Sequence, residues 1–188
     1  MNYKRKYKKF QKEVKNNQKK FNFPFVIIFI MGGGNLESKL KEQLILHEGL
    51  RLNAYKCPAD KWTIGVGRNL EANPLSQEEM LEVLKEVGIT EEIAMRWLEK
   101  EIRQVKRQLA NYEWYTSQSE IRRRVLIDMA FNLGISGLLS FQNMIGALEV
   151  GNYEVAAEEM LDSRWSEQVG KRAERLANMM RPNEDFIE

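Results

Sequence analysis

The amino-acid sequence predicts an α+β fold that is mostly helical, with a small β-hairpin lobe and a helical lobe joined by a long helix. Three observations favour this fold class. Apolar and polar residues alternate, as they do in strands, in two short stretches at residues 55–57 and 62–67. Apolar residues at helical spacing occupy most of the chain from residue 36 onward. One of these helical patterns, near residues 90–110, is long enough to connect two lobes.

Length and composition allow one domain, or two small lobes that share a helix. The chain has 188 residues, of which 43% are hydrophobic, so a well-formed core is expected. The net charge is +2, but residues 1–20 hold nine basic side chains and one acidic side chain, a local charge of +8. The rest of the chain therefore carries −6. This mildly acidic body gives no support to nucleic acid as a partner.

The chain contains a single cysteine, Cys57, and a single histidine, His47. The single cysteine excludes an internal disulfide and an all-cysteine metal site, and the single histidine excludes a histidine-rich metal cluster. We therefore expect chemistry that uses neither a metal ion nor a cofactor.

The first 34 residues are treated as an extension outside the folded domain. The basic tail is followed by an apolar run from Phe25 to Met31, whose seven residues are far fewer than the roughly 20 that a membrane-spanning helix needs. Basic, apolar and small residues in this order resemble a secretory signal. Three interpretations stay open: a signal for export or transient membrane contact through residues 1–31, an extension without function before a start at Met31, and a disordered tail that touches anionic surfaces.

The folded part begins with a helix that is predicted from residue 36 up to Gly49. Its apolar stripe consists of Leu36, Leu40 and Leu44. Gly49 ends the helix because glycine adopts the left-handed conformation found just beyond helix C-termini. A strand at Tyr55 and Cys57, a turn over residues 58–61 and a second strand over residues 62–67 follow.

In the second predicted strand, Thr63, Gly65 and Gly67 share one face, and such small side chains leave space beside the strand. A bulge or tight packing would explain this space, and so would the wall of a ligand cleft. The spacing leaves both interpretations open.

Helices are predicted for the remainder of the chain. Capping residues mark three helix starts: Ser76 with Glu79, Thr90, and Ser117 with Glu120. The helix that begins after Ser117 is expected to break at Gly134 and Gly137. Later helices are predicted near residues 141–149, 152–162 and 168–180. The domain over residues 35–188 is thus expected to divide into a small lobe (35–89), a connecting helix (90–110) and a helical lobe (111–188).

Glu48 is the first candidate for chemistry. It lies at a helix C-terminus, where the helix dipole disfavours negative charge, which suits its side chain to donate a proton near neutral pH. A glutamate at a helix end is usually surface decoration, so its sequence context has to decide. The neighbouring His47 is interpreted as a residue without a role of its own.

The context of Glu48 contains several motifs. Glu48 is followed by eight residues and Cys57, then by five residues and Thr63, which opens the segment Thr-Ile-Gly-Val-Gly. Further along the chain come the segment 122–134, the segment Ser-Arg-Trp at 163–165, Arg-Ala at 172–173, and Arg175. Over about residues 36–181 the chain resembles the phage T4-type lysozyme (endolysin) family, in a variant with cysteine where aspartate is more familiar.

The resemblance implies a lysozyme-like two-lobe fold and a muramidase activity. Glu48 would be the general acid that protonates the β-1,4 glycosidic oxygen between N-acetylmuramic acid and N-acetylglucosamine in peptidoglycan. Thr63 and Cys57 would hold and polarise the attacking water, with inversion at the anomeric carbon. A cysteine thiol at its ordinary pKa is mostly neutral at pH 7, so we expect weaker charge stabilisation than aspartate provides.

The resemblance also suggests substrate-binding residues, namely Phe131, Asn132 and Trp165, although packing in the core is the alternative for both aromatic residues. Arg68 stands where better-known family members have a histidine, which puts the ion pair of that histidine in question. The run of arginines at residues 122–124 is interpreted as a solvated helix face rather than as a nucleic-acid site.

The expected partner is bacterial peptidoglycan, with no nucleic acid, and we expect a monomer. The protein would be made in the cytoplasm of a host bacterium and act at the cell wall or in the periplasm. Because of Cys57, a second hypothesis stays open: a catalytically silent wall-binding or virion structural protein that keeps the lysozyme fold.

Overall fold

A computed structural model describes residues 36–85 and 88–185 of the chain, and the interpretations given for residues 1–34 lie outside them. The helices are α1 (Leu36–Glu48), α2 (Gln77–Lys85), α3 (Glu91–Leu109), α4 (Glu113–Thr116), α5 (Glu120–Leu139), α6 (Gln142–Glu149), α7 (Tyr153–Leu161), α8 (Arg164–Val169) and α9 (Lys171–Met180). The strands are β1 (Arg51–Lys56), β2 (Trp62–Gly65) and β3 (Arg68–Asn69). The predicted fold class, α+β and mostly helical, is confirmed.

The described residues fall into two compact units. The first lies within residues 50–94, and the second combines residues of 35–49 with residues of 95–188. The predicted division at residue 89 put α1 with the strands, whereas α1 packs against α5 and belongs to the second unit. The boundary falls inside α3, after Ala94.

The first unit is built on an antiparallel sheet with the strand order β1-β2-β3. Tyr55 of β1 pairs with Thr63 of β2, and Ile64 of β2 pairs with Arg68 of β3. The chain reverses from β2 to β3 through Gly65 at φ +66° and Gly67 at φ +67°, a backbone conformation that other residues rarely adopt. The glycines on this face are therefore explained by the turn.

Arg68 makes a buried ion pair in the first unit. Its side chain is 6% exposed, and its Nη2 donates a hydrogen bond of 2.9 Å to Glu79 Oε2. The same Glu79 oxygen accepts a hydrogen bond of 2.9 Å from the backbone N–H of Ser76, and the Ser76 hydroxyl accepts from the N–H of Glu79 at 3.2 Å. The predicted capping box is confirmed, and the ion pair with Arg68 anchors it to the sheet.

The core of the second unit is centred on α5. Val125, Leu126, Met129 and Ala130 of this helix are at most 2% exposed. Helix α9 packs against α5, α7 and α8, and α6 packs against α7. Trp97 and Trp114 are each less than a tenth exposed.

Two predicted helix boundaries were wrong, and a third, the break at Gly134 and Gly137, was right at Gly134 only. Ser119, not Ser117, caps α5, because its hydroxyl accepts a hydrogen bond from the N–H of Arg122 while Ser117 follows the short helix α4. Gly134 interrupts α5 at φ +74° and ψ 164°, but the helix continues through Gly137. The predicted helix near 168–180 is two helices, α8 and α9, with Gly170 at φ +52° between them.

The interpretation of the arginine run as a solvated face was also wrong. Arg122 and Arg124 are 9% and 5% exposed. Arg122 donates hydrogen bonds to the carbonyls of Met180 and Arg181 at 2.9 and 3.1 Å, and its guanidinium lies 3.3 Å from the ring centroid of Tyr153. These arginines are part of the interior of the second unit, so they cannot form an exposed basic patch.

Within the part of the chain that the structure describes, no single helix is both long and apolar enough to cross a membrane. The pair α5 and α6, bent by 96°, meets those criteria of length and composition only when its two helices are taken together.

We expect Gly134→Ala to lower the free energy of unfolding by about 1–3 kcal/mol, because the φ and ψ of Gly134 lie in a region that is essentially restricted to glycine. Gly146, in the middle of α6 with open space where a Cβ would lie, is the matched control. Gly146→Ala should raise the free energy of unfolding by about 0.5–1 kcal/mol. Urea denaturation measures both values. Equal effects of the two substitutions would contradict the assigned role of Gly134.

Candidate active site

Glu48 is the last residue of α1, and it is held from two sides in the second unit. Arg172 Nη1 donates a hydrogen bond of 2.7 Å to Glu48 Oε1, and Asn132 Nδ2 approaches the same oxygen at 3.5 Å. Gly49, at φ +76°, ends the helix directly after Glu48. The glutamate side chain is 18% exposed, so it is positioned by protein groups and still reaches solvent.

Arg172 contacts two carboxylates at once. Besides Glu48, its Nε donates to Asp128 Oδ1 at 2.9 Å, and its Nη2 donates to the backbone carbonyl of Asp128 at 3.3 Å. Burial would lower the pKa of Arg172, but the charges of Asp128 and Glu48 outweigh burial and raise it. The guanidinium therefore stays a cation at every pH at which the protein is folded.

Asp128 is fully buried in the middle of α5. Its Oδ2 accepts hydrogen bonds from Gln43 Nε2 at 2.8 Å and lies 2.9 Å from His47 Nδ1, which leaves Oδ1 for Arg172. Burial would raise the pKa of Asp128, yet the hydrogen bond from His47, the charge of Arg172 and the hydrogen bond from Gln43 together lower it below its ordinary value. Asp128 is thus a buried carboxylate that stays charged.

The polar interactions continue away from the site. Arg124 Nη2 donates to Gln43 Oε1 at 3.0 Å, and Arg124 Nη1 forms an ion pair with Asp185. We call this series the buried polar chain, and in order its members are Asp185, Arg124, Gln43, Asp128, Arg172 and Glu48. It ties α1, α5, α9 and the segment after α9 together.

Sequence reasoning missed the central members of the buried polar chain and also His47, which contacts one of them. His47 is not a residue without a role, since its side chain is 2% exposed and paired with Asp128. A signal was present: within the otherwise apolar segment 124–133, Arg124, Asp128 and Asn132 recur at every fourth position, which puts them on one face of the helix. The buried members of this face, Arg124 and Asp128, require partners, and those partners lie on α1, on α9 and in the segment after α9.

Of the predicted substrate-binding residues, Asn132 contacts Glu48, and Trp165 contacts Asn132. Asn132 is exposed, and its Oδ1 accepts a hydrogen bond of 2.9 Å from Trp165 Nε1. The Trp165 ring is 4% exposed and packs edge to face on Phe141, with 6.1 Å between ring centroids. Trp165 therefore orients Asn132 toward Glu48. Phe131 is half-buried beside Asn132.

A pocket of about 640 Å³ adjoins Trp165 in the second unit. Phe141 and Leu133 supply apolar surface to it, while Asp162 and Arg164 supply charges of both signs. Such a mixed lining suits a ligand with both polar and apolar parts.

Cys57 and Thr63 lie together in the first unit. Cys57 follows β1, and its backbone N–H donates to the carbonyl of Lys61 at 2.9 Å, which closes the turn between β1 and β2. Thr63 is 4% exposed on β2. Its hydroxyl has one proton, which goes either to the carbonyl of Lys61 at 3.2 Å or to the sulfur of Cys57.

The pKa of the Cys57 thiol is lowered from its ordinary value. A backbone hydrogen bond from Lys61 is the main cause, partial burial opposes it, and further hydrogen bonds from the backbone of Ala59 and the hydroxyl of Thr63 add to the lowering. These hydrogen bonds favour the thiolate form over the thiol. The cysteine can therefore supply part of the negative charge that an aspartate would supply.

The sequence is similar to one known family and to several known proteins. The sequence model of the phage lysozyme family matches residues 46–183. A protein of Dictyostelium discoideum named "Probable T4-type lysozyme 1" is 26% identical over 159 residues, which cover 76% of this chain and 94% of that protein. An endolysin of Acyrthosiphon pisum secondary endosymbiont phage 1 is 30% identical over 122 residues, which cover 64% of this chain and 72% of that protein.

A phage spike protein is similar as well. The pre-baseplate central spike protein Gp5 of Enterobacteria phage T4 is 29% identical over 157 residues, or 76% of this chain. The chain spans 27% of the length of that relative.

The lowered pKa of Asp128 predicts how stability depends on pH. A carboxyl group with a lowered pKa stabilises the folded state fully above its unfolded pKa of about 3.9 and loses this effect as the pH falls through its lower folded pKa. We expect the Tm of the wild type to fall steeply below about pH 4. Asp128→Asn should have a lower Tm at pH 7 and a shallower decline below pH 4.

Thermal melts monitored by circular dichroism between pH 2 and pH 7 measure both slopes. Asp162→Asn, at an exposed aspartate of the same unit, is the matched control and should follow the wild type. Parallel curves for the wild type and Asp128→Asn would contradict a charged Asp128 in the folded protein.

Proposed function

The chain belongs to the phage lysozyme family, as its motifs predicted, and from this premise we propose that it is an endolysin that hydrolyses bacterial peptidoglycan. Membership of the family supports a lysozyme-type function with peptidoglycan as the substrate. The finer proposal is a muramidase that cleaves the β-1,4 bond between N-acetylmuramic acid and N-acetylglucosamine with inversion of configuration. We further propose that it acts at the cell wall of a host bacterium.

The observation that carries this proposal is the environment of Glu48. A general acid has to reach its substrate and still be held in one orientation. Glu48 meets both requirements, because its carboxyl is 18% exposed while Arg172 and Asn132 both approach the same oxygen. The contact with the buried Arg172 distinguishes Glu48 from a glutamate that is free to move at the surface.

In the proposed reaction, Glu48 donates its proton to the glycosidic oxygen as the bond to the anomeric carbon breaks. Positive charge then develops on the sugar ring, and water attacks the anomeric carbon from the opposite face. Cys57 and Thr63 are proposed to orient this water, and the thiolate form of Cys57 to stabilise the positive charge. Asn132 is the proposed contact for the sugar beside Glu48, with Phe131 and the pocket next to Trp165 completing substrate binding.

A second candidate function is favoured by the similarity to the spike protein Gp5. In this alternative, the chain is a virion component or a wall-binding protein that keeps the fold without turnover. The two candidates differ in whether Glu48 does chemistry, and this can be tested directly.

Purified peptidoglycan in a zymogram and in a reducing-sugar assay provides the test. We expect the wild type to clear the layer and to release reducing ends. Glu48→Gln should lower the rate by about 10²–10⁴-fold, because an amide keeps the shape and the contact with Arg172 but has no acidic proton. Glu42→Gln, at an exposed glutamate of the same helix, is the matched control and should keep full activity.

Thermal melts verify that each variant is folded. A wild type that sediments with peptidoglycan and releases no reducing ends would favour the binding alternative. Full activity of Glu48→Gln would remove Glu48 from the mechanism.

Substitutions of Cys57 test the proposed role of the thiolate. Cys57→Asp should preserve or raise activity at pH 7, and its advantage over the wild type should grow from pH 8 to pH 6, because a carboxylate with a pKa of about 3.9 stays charged while the thiol takes up a proton. Cys57→Ser, a neutral side chain of similar size, is the matched control and should be slower than both. Initial rates of peptidoglycan hydrolysis across this range give the comparison. A loss beyond about tenfold in Cys57→Asp, roughly 1.4 kcal/mol of barrier, would mean that the thiol does something a carboxylate cannot.

A further inference from the structure

Glu48 and Asp128 share one guanidinium group, that of Arg172. The contacts are 2.7 Å from Nη1 to Glu48 Oε1 and 2.9 Å from Nε to Asp128 Oδ1. Arg172 is 7% exposed and Asp128 is fully buried, so water screens their charges weakly. The electrostatic effect of Arg172 on Glu48 therefore depends on the state of Asp128.

An arginine against a general acid creates a conflict. A cation stabilises the carboxylate form of its neighbour, whereas an acid catalyst needs the protonated form before it reacts. Asp128 bears on this conflict, because its buried negative charge opposes that of the cation. With Asp128 and Arg172 both charged, protonated Glu48 leaves the three groups neutral overall, and ionised Glu48 leaves them with one net negative charge.

Resting on the proposed function, we propose that Asp128 is a positioning residue of the reaction. It acts through Arg172, holding the guanidinium against Glu48 and balancing its charge beside the proposed general acid.

The other groups that face Asp128 and Glu48 in the second unit fit this assignment. Gln43 and Asn132 are neutral amides. His47 directs Nδ1 at Asp128 at 2.9 Å and stays unchanged in every variant below. Arg172 is the cation that contacts both Asp128 and Glu48. Two further arginines, Arg124 behind Gln43 and the half-buried Arg175 on α9, stay unchanged in every variant below.

Three variants separate charge balance from mere structural support. Asp128→Asn leaves the Arg172 cation uncompensated, so the basic limb of the rate profile, where the general acid loses its proton, should move to lower pH by about one unit. Arg172→Gln leaves the Asp128 anion uncompensated, so the same limb should move to higher pH. The double variant Asp128→Asn with Arg172→Gln removes both charges and should return the limb to within a few tenths of a unit of the wild type.

The measurement is kcat for soluble peptidoglycan fragments from pH 4 to pH 9, with thermal melts at each pH. Glu158→Gln, at an exposed carboxylate of α7, is the matched control and should leave the limb in place. Opposite shifts in the two single variants support the assignment, and one folded single variant with the expected shift is sufficient if the other fails to fold. Rates that fall by a constant factor with the limb unmoved overturn it, because they indicate a purely structural role.

Carbon NMR of the Glu48 side-chain carboxyl, titrated without substrate, keeps this test separate from the proposed function. The titration midpoint of Glu48 should fall in Asp128→Asn and rise in Arg172→Gln even if the protein hydrolyses no peptidoglycan. A wild type without activity would overturn the proposed function. Unmoved midpoints in both variants would overturn the role of Asp128.

Discussion

The contact of Arg172 with Asp128 and Glu48 is the interaction on which the second unit depends. A buried aspartate is tolerated only if its charge is paired and its oxygens are hydrogen-bonded. Asp128 satisfies this condition with groups from α1 and α9, so these helices and α5 are placed where both carboxylate oxygens of Asp128 are hydrogen-bonded. The same requirement sets the orientation of the guanidinium that holds Glu48. Structural order and the chemistry of the site have a common cause here.

The sequence predicted those elements whose cause is local. The capping box of Ser76 and Glu79 and the stop at Gly49 were correct, because each depends on residues a few positions apart. The start of α5 was wrong because Ser117 and Ser119 both offer a hydroxyl ahead of Glu120. Burial of Trp114 and Tyr115 in α4 decides between them, and that burial is a tertiary effect. For the same reason a local pattern could not distinguish the buried Arg122 and Arg124 from a solvated face.

The candidate site was predictable in part. Motif spacing singled out Glu48, Cys57 and Thr63, but the partners that tune two of them were not visible in the motifs. Arg172 is 124 positions from Glu48 in the chain, and helical spacing does not indicate which distant charge it meets. The thiol of Cys57 is influenced mainly by a backbone hydrogen bond from Lys61, and such a bond depends on the shape of the turn rather than on side-chain identity. Sequence patterns therefore singled out the candidate groups, while folding determined their electrostatic surroundings.

Gly170, which separates α8 from α9, has a consequence for how this protein can vary. Trp165 lies before it and holds Asn132, and Arg172 lies after it and holds Asp128. Asn132 and Asp128 are one turn apart on α5, about 6 Å along the helix axis. Helices α8 and α9 thus contact two adjacent turns of α5 at a fixed separation. An insertion or deletion between residues 165 and 172 would displace one of these two contacts relative to the other. This segment should therefore accept changes of side chain far more readily than changes of length.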